Sequence, residues 1–100
     1  MNEFFEDLGR RWAEAARKRG LEIDEPTLDS GMAQELLELA RVAAHAQERR
    51  FAPLASFMAG VAVERLRAAS RSSPTPLSAA DLAAYVQEVR QQLEAEAQAP

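Results

Sequence analysis

A run of 13 uncharged residues, from Phe51 to Val63, constrains the fold of this chain most strongly. Its larger apolar residues, together with one just beyond it, recur at helical spacing: Leu54, Phe57, Met58, Val61, Ala62 and Leu66. Smaller residues form a second face: Ser56, Ala59, Gly60 and Val63. A helix that is apolar on nearly every side is normally buried. The run therefore predicts an interior helix, with Gly60 at a point where another backbone comes close.

The composition is typical of a helical domain. The chain has 100 residues, of which 47% are hydrophobic and 28% are charged, and this length suits one domain, residues 1–100. Alanine is frequent, and the good helix formers Leu, Glu, Gln and Arg are also abundant. We predict an all-α fold, a four-helix bundle-like single domain with a central apolar third helix.

Capping signals place the helix boundaries. We predict helices at about residues 3–19, 30–48, 53–69 and 79–94, followed by a frayed tail at 95–100. Asn2 is placed to cap the first helix, and Gly20 to adopt the left-handed conformation that follows its last turn. Ser78 and Asp81 form an S-x-x-D capping box before the fourth helix.

Apolar spacing also assigns packing or partner contacts. Trp12 shares a face of the first helix with Phe5 and Leu8, and this spacing is more typical of a core residue than of a base-stacking site. The residues expected to carry packing or partner contacts are Trp12, Leu54, Phe57, Met58, Gly60 and Val61. A small bundle leaves part of an apolar helix face uncovered, and such a surface is typical of an interaction site.

Several classes of protein are excluded by the composition. The chain has no Cys, which excludes disulfides and thiolate metal sites. Residues 1–8 are acidic where a secretory signal is basic. The 13-residue uncharged run is shorter than the roughly 20 residues needed to span a bilayer. We expect a cytoplasmic protein that makes no membrane interaction.

The charge is unevenly distributed. The formal net charge is −4, which argues against general nucleic-acid binding, yet residues 41–71 hold six Arg and two Glu. A DNA-recognition helix needs exposed polar residues near its start, whereas the third helix is apolar and the fourth begins Ala79-Ala80-Asp81. Nucleic acid is therefore disfavoured as a partner.

A basic corner precedes the third helix. His45, Arg49 and Arg50 lie just before its N-terminus, where free N–H groups and the positive end of the helix dipole favour an anion. Pro53 removes one of these donors. The alternative, which we favour, is that the arginines cap the carbonyl end of the second helix and face solvent.

Catalytic patterns are absent from the sequence. His45 is the only histidine, and neither a metal-ligand spacing nor a paired nucleophile and base surrounds it. No phosphate-binding loop or dinucleotide fingerprint occurs. We expect no enzymatic activity, no metal and no cofactor.

One segment, Glu35–Leu66, carries a family resemblance. It contains a leucine-rich helix with A-R-V-A-A-H, then Arg49, A-P-L and F-M-A-G. The matching positions are Leu36, Leu39, Ala40, Arg41, Ala44, His45, Arg49, Ala52, Pro53, Leu54, Phe57 and Gly60. In these residues the segment resembles a small bacterial, actinobacterial-type helical domain of unknown function. That domain is found alone or fused to a molybdenum-cofactor guanylyltransferase. The resemblance implies an accessory role near molybdenum-cofactor assembly and supplies no catalytic residues.

Three functions remain open at this point. The first is a non-catalytic helical interaction or accessory module that binds a protein partner or a second copy of itself, and a molybdenum-cofactor guanylyltransferase is the partner that the resemblance implies. The second is a small anion- or nucleotide-binding module that uses His45, Arg49 and Arg50. The third, ranked last, is a DNA-binding regulator.

Overall fold

The computed structural model describes residues 2–99, which form four α-helices. The helices are α1 (Glu3–Lys18), α2 (Ser30–Ala46), α3 (Phe51–Ser70) and α4 (Ala79–Ala97). None of the described residues forms a strand. The prediction of an all-α fold with four helices is confirmed.

The start of α3 differs from the predicted residue 53. The backbone N–H groups of Phe51 and Ala52 donate to the carbonyls of Glu48 and Arg49, at 2.9 and 3.2 Å. These bonds form a helical turn ahead of Pro53, so the helix begins at Phe51 rather than after a two-residue link.

The ends of α2 and α4 also differ from the prediction. α2 ends at Ala46, two residues before the expected residue 48. α4 continues to Ala97, so the predicted fraying from residue 95 is wrong for the part of that tail that the structure describes. The N–H of Gln98 donates to the carbonyl of Glu94 and closes the last turn. Pro100 lies outside the described residues.

The chain divides into two compact units, Met1–Ser30 and Gly31–Pro100. In the first unit both predicted caps of α1 are confirmed. Oδ1 of Asn2 accepts a hydrogen bond from the N–H of Phe5 at 3.3 Å. After the helix Gly20 has φ +78°, and the N–H groups of Gly20 and Leu21 donate to carbonyls of the last turn. These two hydrogen bonds form a Schellman motif. The motif needs a residue in the left-handed conformation, which glycine adopts most readily.

The segment after α1 folds back against the helix. Gly9 and Ala13 are the buried residues of α1 and lie one turn apart. A Cβ added at Gly9 would collide with the carbonyl oxygen of Pro26. The missing side chain of Gly9 therefore lets the backbone at Pro26 approach α1.

The second unit contains a core to which all three of its helices contribute. Its buried residues are Leu39 from α2, Val63 from α3, and Leu82 and Val86 from α4. Residues packed around them are partly exposed: Met32, Ala55, Ala59, Leu66 and Tyr85. The predicted capping box at the start of α4 is confirmed, because Ser78 and Asp81 exchange backbone and side-chain hydrogen bonds at 2.9 to 3.1 Å.

Two ion pairs show the relative direction of α2 and α4. Glu35 pairs with Arg90, and Arg41 pairs with Glu94. Both partners advance toward the C-terminus from the first pair to the second, so the two helices run parallel. Since α3 connects the end of α2 to the start of α4, it returns in the opposite direction.

The prediction that α3 is buried on nearly every side is wrong. Its only buried residue is Val63, and the residues that pack around the core from this helix are Ala55, Ala59 and Leu66. The mainly small-residue face, which lets neighbouring helices come close, is thus turned inward. Most of the larger residues of the uncharged run remain outside.

Candidate interaction surface on the third helix

A stripe of large apolar side chains lies exposed on the first half of α3. Leu54 is 61% exposed, Phe57 is 73% exposed and Met58 is 71% exposed, and Val61 continues the stripe as a half-buried residue. The spacing of three and four residues places all four on one side of the helix. We call these residues, Leu54, Phe57, Met58 and Val61, the α3 face.

An apolar groove between α3 and α4 borders the α3 face. It has a volume of 270 Å³, and its lining residues come mainly from these two helices: Leu39, Ala55, Met58, Ala59, Ala62, Tyr85, Val86, Val89 and Leu93. Met58 belongs both to the α3 face and to the groove. The two features therefore form one continuous apolar surface. A groove of this volume accommodates one or two large apolar side chains.

The segment that contains the α3 face carries a net positive charge. Between Glu48 and Arg71 five arginines stand against two glutamates. Arg50 pairs with Glu48 at 3.3 Å, and Arg67 pairs with Glu64 at 2.8 Å. The remaining arginines, which form no ion pair with any residue described by the structure, are Arg49, Arg65 and Arg71. Sequence reasoning noted the basic segment but did not single out Arg65. Its position four residues after Val61, on the same helix side, was the available signal.

Gly60 does not lie at a crossing of helices. A Cβ added at Gly60 would meet no atom within 4 Å. The residue is exposed beside a shallow depression of α3 that Phe57, Val61 and Arg65 also line. The expectation of a close backbone contact at Gly60 is therefore wrong for this chain, because the inner face of α3 passes through Ala59 and Val63 instead.

The structure places the three residues of the predicted anion corner at the link between α2 and α3. His45 lies in the last turn of α2, and Arg49 and Arg50 follow in the link. All three side chains are exposed. Arg50 is engaged by Glu48, and the first two N–H groups of α3 already donate to backbone carbonyls. These contacts leave fewer donors for an anion than the sequence suggested, and the anion site stays a prediction.

Trp12 does not lie in a core. Its side chain is largely exposed, as is that of Phe4 on the same helix. Phe4 and Phe5 contact each other edge to face, with ring centroids 5.0 Å apart. The inward side of α1 is formed instead by Gly9 and Ala13, whose small size allows the return segment to approach.

Sequence reasoning missed a network of ion pairs between α2 and α4. Arg90 reaches both Glu35 and Glu94, and Arg41 reaches both Glu38 and Glu94. The hydrogen bond from Arg41, followed by that from Arg90, lowers the pKa of Glu94 below its ordinary value of about 4.5. The i,i+4 spacing of Arg90 and Glu94 signalled part of this network, whereas the pairs between helices required the tertiary structure.

Two further findings limit the chemistry of the described residues. Residues 2–99 bring together no group of three or more His, Asp or Glu side chains that could hold a metal ion. Across the same residues, every helix is too short or too polar to cross a membrane.

Comparison with known proteins identifies a family. A model of the domain of unknown function DUF6457 matches residues 6–100. The chain belongs to this family. No curated protein and no solved structure matches the chain significantly. The DUF6457 match includes the α3 face, the groove and the ion pairs between α2 and α4, and it carries no assigned activity with it.

Proposed function

We propose that this DUF6457 chain is a non-catalytic helical module that binds another protein through the α3 face. One observation supports this proposal above all others: Leu54, Phe57 and Met58 form a contiguous stripe, and each is more than half exposed. Single exposed apolar residues are ordinary on a protein surface, but a contiguous stripe beside an apolar groove is typical of a binding site.

The energetics of the stripe favour binding. Burial of one large apolar side chain contributes about 1.5–3 kcal/mol, and the α3 face presents three such side chains to solvent. Interfaces depend on a few buried anchors of this kind, surrounded by polar residues that contribute little. Phe57 and Met58 are the anchors that we assign.

The most specific form of the proposal is an accessory module for molybdenum-cofactor nucleotide transfer. Its support is the resemblance of Glu35–Leu66 to a bacterial domain that is also found fused to a molybdenum-cofactor guanylyltransferase. This segment contains most of α2 and the whole α3 face. A partner that is covalently joined in some proteins is a natural candidate for a non-covalent partner in others.

The proposal is tested by titrating the purified chain into a molybdenum-cofactor guanylyltransferase from the same genome, with calorimetry as the readout. We expect saturable binding that Phe57→Ser weakens at least about tenfold, since the substitution removes one anchor. Phe4→Ser, which removes an exposed phenylalanine from α1, is the matched control. Absence of binding would overturn the proposed molybdenum-cofactor role, but not the proposal that the α3 face is an interaction surface.

A second measurement tests the interaction surface itself. Light scattering of the chain alone distinguishes a partner protein from a second copy as the occupant of the α3 face. A dimer that Phe57→Ser dissociates would identify self-association as the function of the face. A chain that stays monomeric and binds neither the enzyme nor the helical peptides described below would overturn the proposal.

A further inference from the structure

We infer that the partner segment is an amphipathic helix with acidic flanks, which lies along the α3 face and inserts an apolar side chain into the groove beside Met58. This inference rests on the proposed function and specifies the chemistry of the partner. It follows from the charge around the face, the shape of the groove and the exclusion of other occupants.

The unpaired arginines near the α3 face indicate that the flanks of the partner helix are acidic. Arg65 follows Val61 by one helical turn and lines the same depression as Phe57, as Glu64 does, so the Arg65 side chain borders the apolar stripe. Arg49 and Arg71 lie just beyond the two ends of α3. None of the three forms an ion pair with a described residue, whereas Glu64 on the same helix is already engaged by Arg67. Carboxylates on the partner therefore find unpaired arginines, while basic flanks meet repulsion.

The shape of the surface favours a helix over an extended peptide. No strand edge exists among residues 2–99 to receive an added strand. The α3 face and the groove are instead long, apolar and lined by two helices, which is the usual receiving surface for an amphipathic helix. Anchors at i, i+3, i+4 and i+7 of the partner would follow the stripe.

The same charges disfavour a second α3 as occupant. A symmetric pair of α3 helices would bring the unpaired Arg65 of both copies to one apolar seam, and like charges at an interface oppose association. An anionic lipid surface is a weaker match, because the net charge of the whole chain is −4 and repels it. Both alternatives are outcomes of the test.

The test uses two synthetic 18-residue peptides with the same leucine and phenylalanine stripe, one with glutamate flanks and one with lysine flanks. Binding of each peptide to the full chain is measured by fluorescence anisotropy. We expect the glutamate peptide to bind at least about tenfold more tightly, since each of several exposed ion pairs adds a few-fold. This preference should diminish at high salt, which screens exposed charges.

Variants locate the binding. Phe57→Ala should abolish binding of the glutamate peptide, and Phe4→Ala should leave it unchanged. Arg65→Glu should weaken it about tenfold, whereas Arg65→Lys, which keeps the charge, should retain most of it. Circular dichroism of each variant confirms that the helices remain folded. This pattern would establish both the apolar anchor and the electrostatic preference.

Other results would overturn the inference in distinguishable ways. If both peptides bind equally and their binding still depends on Phe57, the inference of acidic flanks is overturned. The proposal that the chain is an interaction module then stands. Binding of neither peptide would overturn the helical partner, and the enzyme titration would then decide the proposed function. Phe57-dependent binding to vesicles of phosphatidylserine and phosphatidylcholine would assign the face to lipid, and a Phe57-dependent dimer would assign it to a second copy.

Discussion

Arg41 on α2 donates a hydrogen bond from Nη2 to Oε2 of Glu94 on α4, 2.9 Å away. Because α2 and α4 run parallel, their dipoles repel side by side, and charged side chains that pair across them oppose this repulsion. Arg41 also pairs with Glu38 of its own helix, and Nη2 of Arg41 lies 3.0 Å from Oε2 of Glu38. The guanidinium thus bridges two carboxylates, one on each helix.

This arrangement predicts a loss of stability in acid. The pKa of Glu94 is lowered, first by the hydrogen bond from Arg41, below its ordinary value of about 4.5. A group with a depressed folded-state pKa stabilises the fold above its unfolded pKa, and this contribution is lost as the pH falls through the folded value. We expect the urea midpoint to fall between pH 7 and pH 3, and to fall less in Glu94→Gln. Glu88→Gln, at an exposed position of the same helix, is the control and should retain the full dependence.

Two glycines in helices, Gly9 in α1 and Gly60 in α3, predict opposite effects of the same substitution. Gly9→Ala places a methyl group against the carbonyl oxygen of Pro26, so α1 or the return segment must shift, at a cost of about 1–3 kcal/mol. Gly60→Ala meets open space and should stabilise α3 by up to about 1 kcal/mol, since alanine is the better helix former.

Denaturation with two probes separates these effects. Trp12 is the chain's single tryptophan, so its fluorescence reports on α1, and far-UV circular dichroism reports on all the helices. We expect Gly9→Ala to lower the midpoint seen by fluorescence and Gly60→Ala to raise the midpoint seen by circular dichroism. Destabilisation by Gly60→Ala would contradict the exposed position of Gly60.

The capping box of α4 predicts a local contribution to stability. Oγ of Ser78 accepts a hydrogen bond from the N–H of Asp81 at 3.1 Å, and the carboxylate of Asp81 accepts from the N–H of Ser78 at 2.9 Å. Ser78→Ala should lower the free energy of unfolding by about 1 kcal/mol. Ser72→Ala, in the exposed connector before α4, is the matched control. An equal effect of both substitutions would show that the box contributes nothing specific.

The caps were predictable from the sequence because each is a local interaction. Asn2, Gly20 and the pair Ser78 and Asp81 act within a few residues of chain, where residue type and spacing determine the hydrogen bonds. Helix type and number followed for the same reason. The continuation of α4 to Ala97 was missed because alanine and glutamate carry no stop signal there.

The orientation of α3 was not predictable in the same way. Apolar spacing showed that Leu54, Phe57 and Met58 share one side, but periodicity does not say which side other helices cover. Because α3 is apolar nearly all round, two orientations satisfied the pattern. The structure selects the one in which Ala59 and Val63 face the core, since small residues permit closer packing. The candidate site exists because of that selection. Sequence reasoning named its residues as packing or partner contacts, although it placed α3 as a whole in the interior.

The ion pair between Glu35 and Arg90 predicts that removing one charge is worse than removing both. Their side chains are only 16% and 13% exposed, and Nη2 of Arg90 lies 3.4 Å from Oε2 of Glu35. The Nε of Arg90 is buried and has no hydrogen-bond partner among the residues described by the structure. An unpaired buried donor carries a desolvation cost of about 1–3 kcal/mol, so this pair is a weak source of net stability.

A double-mutant cycle measures this relationship. Arg90→Met leaves the carboxylate of Glu35 largely buried without that partner, and Glu35→Leu does the same to the guanidinium, although Glu94 still reaches Arg90 at 3.3 Å. We expect Arg90→Met alone to lower the free energy of unfolding by about 2–4 kcal/mol, and the double variant to recover most or all of that loss. Urea denaturation of the four proteins at pH 7 gives the coupling. A double variant as unstable as the sum of the single variants would show that the two side chains do not interact, contrary to this expectation.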